Sequence, residues 1–176
     1  MKALKYAVLG LTGLIVLVLV VGFILPSEFH VQRQIQISAP ADKVYPHIVN
    51  LREWKKWGVW FERDPDMQVT YTGPDGFVGQ KSSWVSETQG SGEMTITELS
   101  PLKKVVYNLY FPDFGMGSTG ELTLTEENGT TTVIWADYGD VGGNPINHYF
   151  AAMMDGMVGP DFEAGLKNLK NLVESQ

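Results

Sequence analysis

Two hydrophobic patterns divide the chain. From Ala7 to Leu25, nineteen positions run without a charge, preceded by Lys2 and Lys5 and closed by Pro26. At 1.5 Å per residue this run makes a helix roughly 28 Å long, close to the hydrocarbon thickness of a bilayer. Valine and leucine fill most of it, and Gly10, Gly13, Gly22 and Thr12 are residues that membrane helices tolerate. A buried helix of a globular domain would keep one polar face, which this run lacks. The pattern therefore predicts a transmembrane helix over about 7–25, within an anchor of residues 1–27, and one domain over 28–176.

Beyond Pro26 the apolar positions become periodic. Phe29, Val31, Ile35 and Ile37 alternate with His30, Gln32, Gln34 and Gln36, which makes a strand with one apolar face. Arg33 interrupts that face and needs either a sheet end or a carboxylate partner. After Ser38-Ala39-Pro40, the spacing of Val44, Ile48 and Leu51 is helical, and Pro46 requires that helix to be short, late-starting or kinked before a further turn at Leu51 to Trp57. From Met67 onward, segments rich in Thr, Val, Tyr and Trp alternate with glycine-containing turns, predicting strands near Gln68–Thr72, Gln80–Glu87, Gly92–Ser100, Lys104–Phe111, Gly117–Glu126 and Thr130–Gly139. Asn128-Gly129 suits a two-residue hairpin with positive φ, which accounts for Asn128-Gly129-Thr130 better than glycosylation does.

The chain closes with a helix from about Pro145 to Glu174. Phe162, Leu166, Leu169, Leu172 and Val173 form its apolar stripe, and Glu163 and Lys167 sit i to i+4 on the opposite face. Gly159-Pro160, with Gly156 one turn earlier, predicts a kink. Upstream, Met153, Met154 and Met157 join Ile146 and Phe150 in a soft apolar surface. The element order is α+β: seven antiparallel strands forming a curved sheet around the long C-terminal helix, plus one N-terminal transmembrane helix.

Charge and composition narrow the picture. All 20 acidic residues but only 11 of the 13 basic ones follow Pro26, giving the domain a formal charge of about −9. That argues against nucleic-acid binding and against adhesion to anionic headgroups through a basic patch. The absence of cysteine excludes a disulfide scaffold, thiol catalysis and iron–sulfur chemistry. Lys2 and Lys5 before the apolar run, with Glu28 the first charge after it, favour a cytoplasmic N-terminus and an extracytoplasmic domain, as in a single-pass bacterial inner-membrane protein facing the periplasm. The rival is a cleaved secretory signal, but residues 22–29 read GFILPSEF, without the small residues of a cleavage site.

At this point the chain resembles a known family. The opening strand followed by Ser38-Ala39-Pro40-Ala41-Asp42-Lys43-Val44-Tyr45, the segment Trp54-Lys55-Lys56-Trp57, and Gly92-Glu93-Met94-Thr95-Ile96 are similar to the START-like, or helix-grip (SRPBCC), superfamily, in its polyketide cyclase/dehydrase-like branch. The resemblance spans Phe29 to Gln176. It implies a helix-grip fold with a cavity between sheet and terminal helix, used by different members for lipids, hormones, polyketides or other hydrophobic ligands.

The residues suit such a cavity, which needs large apolar side chains and few polar ones. Trp84, Tyr107 and Trp135 on strands, Met153 and Met157 on the covering helix and Trp57 near the helix-to-sheet loop are the candidate ligand contacts, with core packing as the alternative for each. Trp54, Trp57, Trp60 and Phe61 either rim the cavity mouth, touch the membrane interface, or pack the short helices onto the sheet.

Catalytic signals are few. His30, His47 and His148 have no zinc-ligand spacing, and Gly73, Gly76 and Gly79 lie in a hairpin loop rather than a nucleotide-binding turn, so neither a metal nor a cofactor is expected. Asp137 is the best carboxylate: it shares a strand face with Trp135, and burial there would raise its pKa and fit it for acid–base work or for hydrogen bonding a ligand. A salt bridge to Arg33 is its structural alternative. The expectation is a membrane-anchored domain that binds a hydrophobic small molecule or lipid without chemistry, its short linker keeping the pocket near lipid-partitioned ligands. The alternatives are a polyketide cyclase/dehydrase-like enzyme using Asp137 and a cavity tyrosine, and an envelope protein-interaction module with a filled core.

Overall fold

The computed structural model describes residues 2–176. Helix α1 (Lys2–Ile24) leads into β1 (Glu28–Ile37), α2 (Ala41–Val49), a 3-10 turn (Glu53–Lys56) and α3 (Val59–Arg63). Strands β2 (Gln68–Thr72), β3 (Lys81–Val85), β4 (Gly92–Ser100), β5 (Lys104–Phe111), β6 (Met116–Glu127) and β7 (Thr130–Asp140) follow, and α4 (Pro145–Glu174) ends the chain. The seven strands form one antiparallel sheet in the order β1-β7-β6-β5-β4-β3-β2. It is therefore a meander from β2 to β7, with β1 added beside β7. The element order is the α+β one that the sequence pattern predicts, and the architecture is the helix-grip one that the family resemblance implies.

Local chemistry explains the boundaries. Asn128 and Gly129 both have positive φ, 51° and 76°, as the two-residue turn between β6 and β7 requires. β3 ends before the expected Glu87 because the Ser86 hydroxyl accepts the N–H groups of Thr88 and Gln89 and turns the chain. α2 accommodates Pro46 by ending three residues after it. Its last carbonyls are then capped by tryptophan: the Trp54 indole donates to Ile48 O and the Trp57 indole to His47 O, each at 3.0 Å. Trp54 and Trp57 are thus fastened inside the core and take no part in a rim or a membrane contact.

α4 lies along β1 and part of β7. Phe162 stacks on Trp135 with ring centroids 4.1 Å apart and planes 3° from parallel, while Trp54, Trp57 and Trp60 meet Trp135 edge-on at 5.3–5.9 Å. Gly165 makes the close approach possible, since a Cβ there would lie 3.0 Å from the Trp135 ring. Arg33 finds its partners on α4: its guanidinium crosses Gly159, where no Cβ would fit, and donates to Asp155 Oδ1 at 2.7 Å and Glu163 Oε1 at 2.6 Å. These two bonds hold Arg33 firmly protonated and pull the Asp155 carboxyl below its ordinary range. Arg33 therefore does not pair with Asp137. The backbone stays helical across Gly159-Pro160.

The start of α4 also clasps α1. Gly22, the one buried residue of α1, meets the Pro145 carbonyl with no space for a side chain. The Tyr149 hydroxyl donates to Val18 O at 2.7 Å, and His148 places Nδ1 2.8 Å from Gly22 O and Nε2 2.9 Å from Gly142 O.

Candidate functional site

The inner face of the sheet carries two unlike regions. Toward the ends of β1 and β7 it is covered by α4 and filled with tryptophan. Toward β2–β5 the register sets side chains in rows that α4 does not seal. One row passes from Ile96 through Tyr107 and Gly120 to Asp137 and Val31. The next passes from Tyr71 through Ser82, Met94 and Leu109 to Ser118. Ile96 and Tyr107 are fully buried, whereas Tyr71, Met94, Leu109 and Ser118 are half-buried, so that apart from the buried Ser82 burial falls from one row to the next.

Glycine shapes this surface. Gly120 lies beneath the Tyr107 ring and Gly92 beneath the Trp84 ring, and at neither position is there room for a Cβ. The two aromatics lie flat across neighbouring strands, with the Tyr107 hydroxyl carried toward β7. There it accepts a hydrogen bond from Trp135 Nε1 at 2.7 Å, which leaves its own proton free to donate.

Asp137 lies in the buried row, next to the half-buried row that α4 leaves open. It is 6 % exposed and accepts one hydrogen bond, from Ser118 Oγ at 3.1 Å. Burial pushes its carboxyl up to about 7, opposed by the Ser118 bond. Tyr107 is raised well above its usual value, first by burial and then by the Asp137 charge, with the Trp135 N–H acting the other way. The Tyr71 hydroxyl is also buried and has no hydrogen-bond partner among the described residues. An apolar surface with one carboxyl of near-neutral pKa and two tyrosine hydroxyls can orient a lipophile by a few polar contacts, or move a proton.

The predicted contacts separate on this map. Trp57, Tyr107 and Trp135 come together, but Trp57 is wholly enclosed and Trp135 shows only its edge to the polar network. Trp84 lies at the outer end of the same inner face, edge-on to Phe111 with centroids 6.0 Å apart. Met153 and Met157 are corrected: they do not cover the sheet but point outward, 59 % and 54 % exposed. The residues of α4 that face the sheet are Ala151, Met154, Val158 and Phe162, and Met153 and Met157 each lie one residue, about 100°, off that line.

Ser118, Gly120, Tyr71, Met94 and Leu109 were not signalled individually. The period-two row Leu124, Leu122, Gly120, Ser118 held the clue, since its large residues give way to small ones where the Tyr107 ring lies across β6. Among the described residues no three histidine, aspartate or glutamate side chains converge as a metal-ligand set. On the outer face, an open groove of about 670 Å³ is lined by Glu93, Thr95, Asn108, Tyr110 and Thr119.

Residues 28–174 match the family model described as polyketide cyclase / dehydrase and lipid transport. No curated protein matches the sequence. Solved structures share the fold at low identity. A Thermobifida fusca protein determined by NMR is 17 % identical with a TM-score of 0.64, over 82 % of this chain and 92 % of its own. The Zhui aromatase/cyclase from Streptomyces sp. R1128 is 16 % identical with a TM-score of 0.62, over 84 % and 94 %. The Aha1 dimer from Colwellia psychrerythraea is 19 % identical with a TM-score of 0.55, over 80 % and 96 %. At these identities the likeness concerns the fold.

Proposed function

Because the chain belongs to the polyketide cyclase / dehydrase and lipid transport family, we propose that it is a membrane-anchored, extracytoplasmic binding protein for a lipid or other hydrophobic small molecule. The observation that carries this reading is Asp137, a buried carboxyl with a pKa near 7 bonded to Ser118 in a neighbouring row of half-buried, mostly apolar side chains. In its protonated form it donates to a ligand carbonyl or hydroxyl, while Met94, Leu109 and Trp84 supply apolar contact. The length and composition of α1 support the anchor, and Lys2 and Lys5 before it support a cytoplasmic N-terminus.

The test is native mass spectrometry and lipid extraction of the full chain purified in detergent, followed by titration of a long-chain fatty acid against tryptophan fluorescence. Co-purified lipophile and saturable quenching are expected. An empty protein with no saturable response overturns the reading. Orientation is read from single introduced cysteines, which are unique labels because the chain has none of its own.

A second reading draws on the same polar network. Asp137 as acid–base and Tyr107 as a proton donor at a carbonyl form the minimum for a cyclase/dehydratase-like reaction, the activity that the Zhui aromatase/cyclase bears in its name. Asp137→Asn distinguishes the two: an enzyme loses turnover while retaining ligand, and a binding protein shows no turnover to lose.

A further inference from the structure

The first half of α4 presents an apolar stripe that nothing in the domain covers. Ile146, Phe150, Met153 and Met157 follow at i, i+4, i+7 and i+11, which is one helix face, and they are 44 %, 49 %, 59 % and 54 % exposed. Between Pro145 and Val158 the only Asp, Glu, Lys or Arg is Asp155, which Arg33 neutralises at 2.7 Å, and the one histidine, His148, is buried against α1 rather than on the stripe. A soluble domain rarely leaves such a stripe bare.

The clasp between α4 and α1 supplies the missing occupant. Tyr149 hydrogen bonds the carbonyl of Val18, seven residues before the end of the apolar run and so about 10 Å inside it at 1.5 Å per residue. Gly22 and Pro145 are in van der Waals contact, so the first turn of α4 lies beside the outer end of α1. Whatever surrounds that end of α1 also surrounds Ile146 and Phe150. If α1 spans a bilayer, these side chains lie at the boundary between headgroups and acyl chains.

Resting on the membrane-anchored reading, we propose that the Ile146-Phe150-Met153-Met157 face of α4 is immersed in the outer interface of the bilayer that α1 crosses, docking the domain rather than leaving it tethered. An uncharged stripe fits this role. A domain of formal charge about −9 gains no attraction from anionic lipid, so apolar insertion supplies the contact.

The test uses the full chain in phosphatidylcholine vesicles with one environment-sensitive fluorophore on each of four variants: Leu14→Cys in the span, Phe150→Cys and Met153→Cys on the stripe, and Lys167→Cys on the exposed second half of α4. Brominated phosphatidylcholine should quench the labels at positions 14, 150 and 153 at least about threefold more than the label at 167, and iodide should show the reverse order. If the label at 14 is quenched by lipid while those at 150 and 153 behave like 167, the docking is refuted and the anchor stands. If the label at 14 is reached by iodide, the anchor fails and the docking with it. Shielding of 150 and 153 from iodide without quenching by lipid means that a second copy of the chain covers the stripe, which also overturns the proposal.

Discussion

One helix, α4, behaves as two. From Pro160 to Glu174 it is an ordinary amphipathic helix, with Phe162, Leu166, Leu169 and Val173 buried and Glu163 and Lys167 outside. From Pro145 to Val158 its inward line is thin, made of His148, Ala151, Met154 and Val158, while its larger apolar side chains face away from the sheet. The second half builds a core, and the first half presents apolar surface in two directions. Outward this surface is the bare stripe; inward Met154 and Val158 pack against the core. The difference shows that apolar content alone does not identify a core-facing helix segment, because the register against the sheet decides which side chains are enclosed.

Substitution at matched phenylalanines should break the helix into its two characters most sharply. Phe162→Ala removes the ring stacked on Trp135 and should cost about 3–5 kcal/mol in chemical unfolding of the detergent-solubilised chain. Phe150→Ala, on the bare stripe, should change the same measurement by less than about 0.5 kcal/mol. Equal losses at both positions would erase the distinction.

The buried carboxyl should show itself through pH. Because Asp137 has a higher pKa in the folded chain, about 7, than when unfolded, folding takes up a proton between about pH 4 and 7. Its contribution is most favourable below pH 4 and is lost as the pH rises through 7, by on the order of 4 kcal/mol in total. Asp137→Asn should flatten this part of the stability profile, and an unchanged slope would show that the carboxyl is solvated.

Gly159→Ala probes the joint between the halves. Its Cβ displaces the Arg33 guanidinium from Asp155 and Glu163, so the variant should melt at a lower temperature in a way that is largely absent in an Arg33→Gln background. Additive losses would mean that the glycine acts through the backbone instead. The smallest effect is expected from Tyr149→Phe, which deletes one hydrogen bond to α1 and should cost about 0.5–1.5 kcal/mol locally, read as faster amide exchange at the end of α1 with the sheet unaffected.

Much of the architecture was legible in the chain. Alternation located β1, segments rich in strand-forming residues between glycine turns located the other six strands, and Asn128-Gly129 marked its hairpin because few other pairs accept positive φ twice. The limits of α4 followed from Pro145 at its first position and from its apolar spacing. Which face of its first half points inward was not legible, since Ile146, Phe150, Met153 and Met157 form as regular a stripe as Ala151, Met154 and Val158. Arg33 advertised a need for carboxylates but not their place, 122 and 130 residues later. Asp137 was visible as a carboxylate on the Trp135 face. Its setting depends on Gly120 making room for Tyr107, a relation between strands that no single strand encodes.

The grip of Pro145, His148 and Tyr149 on α1 has a mechanical meaning. A flexible tether lets a domain tumble through a hemisphere and meet the membrane at every angle. A clasped helix acts as a bracket: it fixes one azimuth and one tilt of the domain relative to α1, so that, with α1 as the proposed anchor, the same edge of the sheet would be held toward the lipid. On that proposed reading, encounter between the inner face and a molecule leaving the bilayer would be governed by orientation set at folding, not by repeated collision.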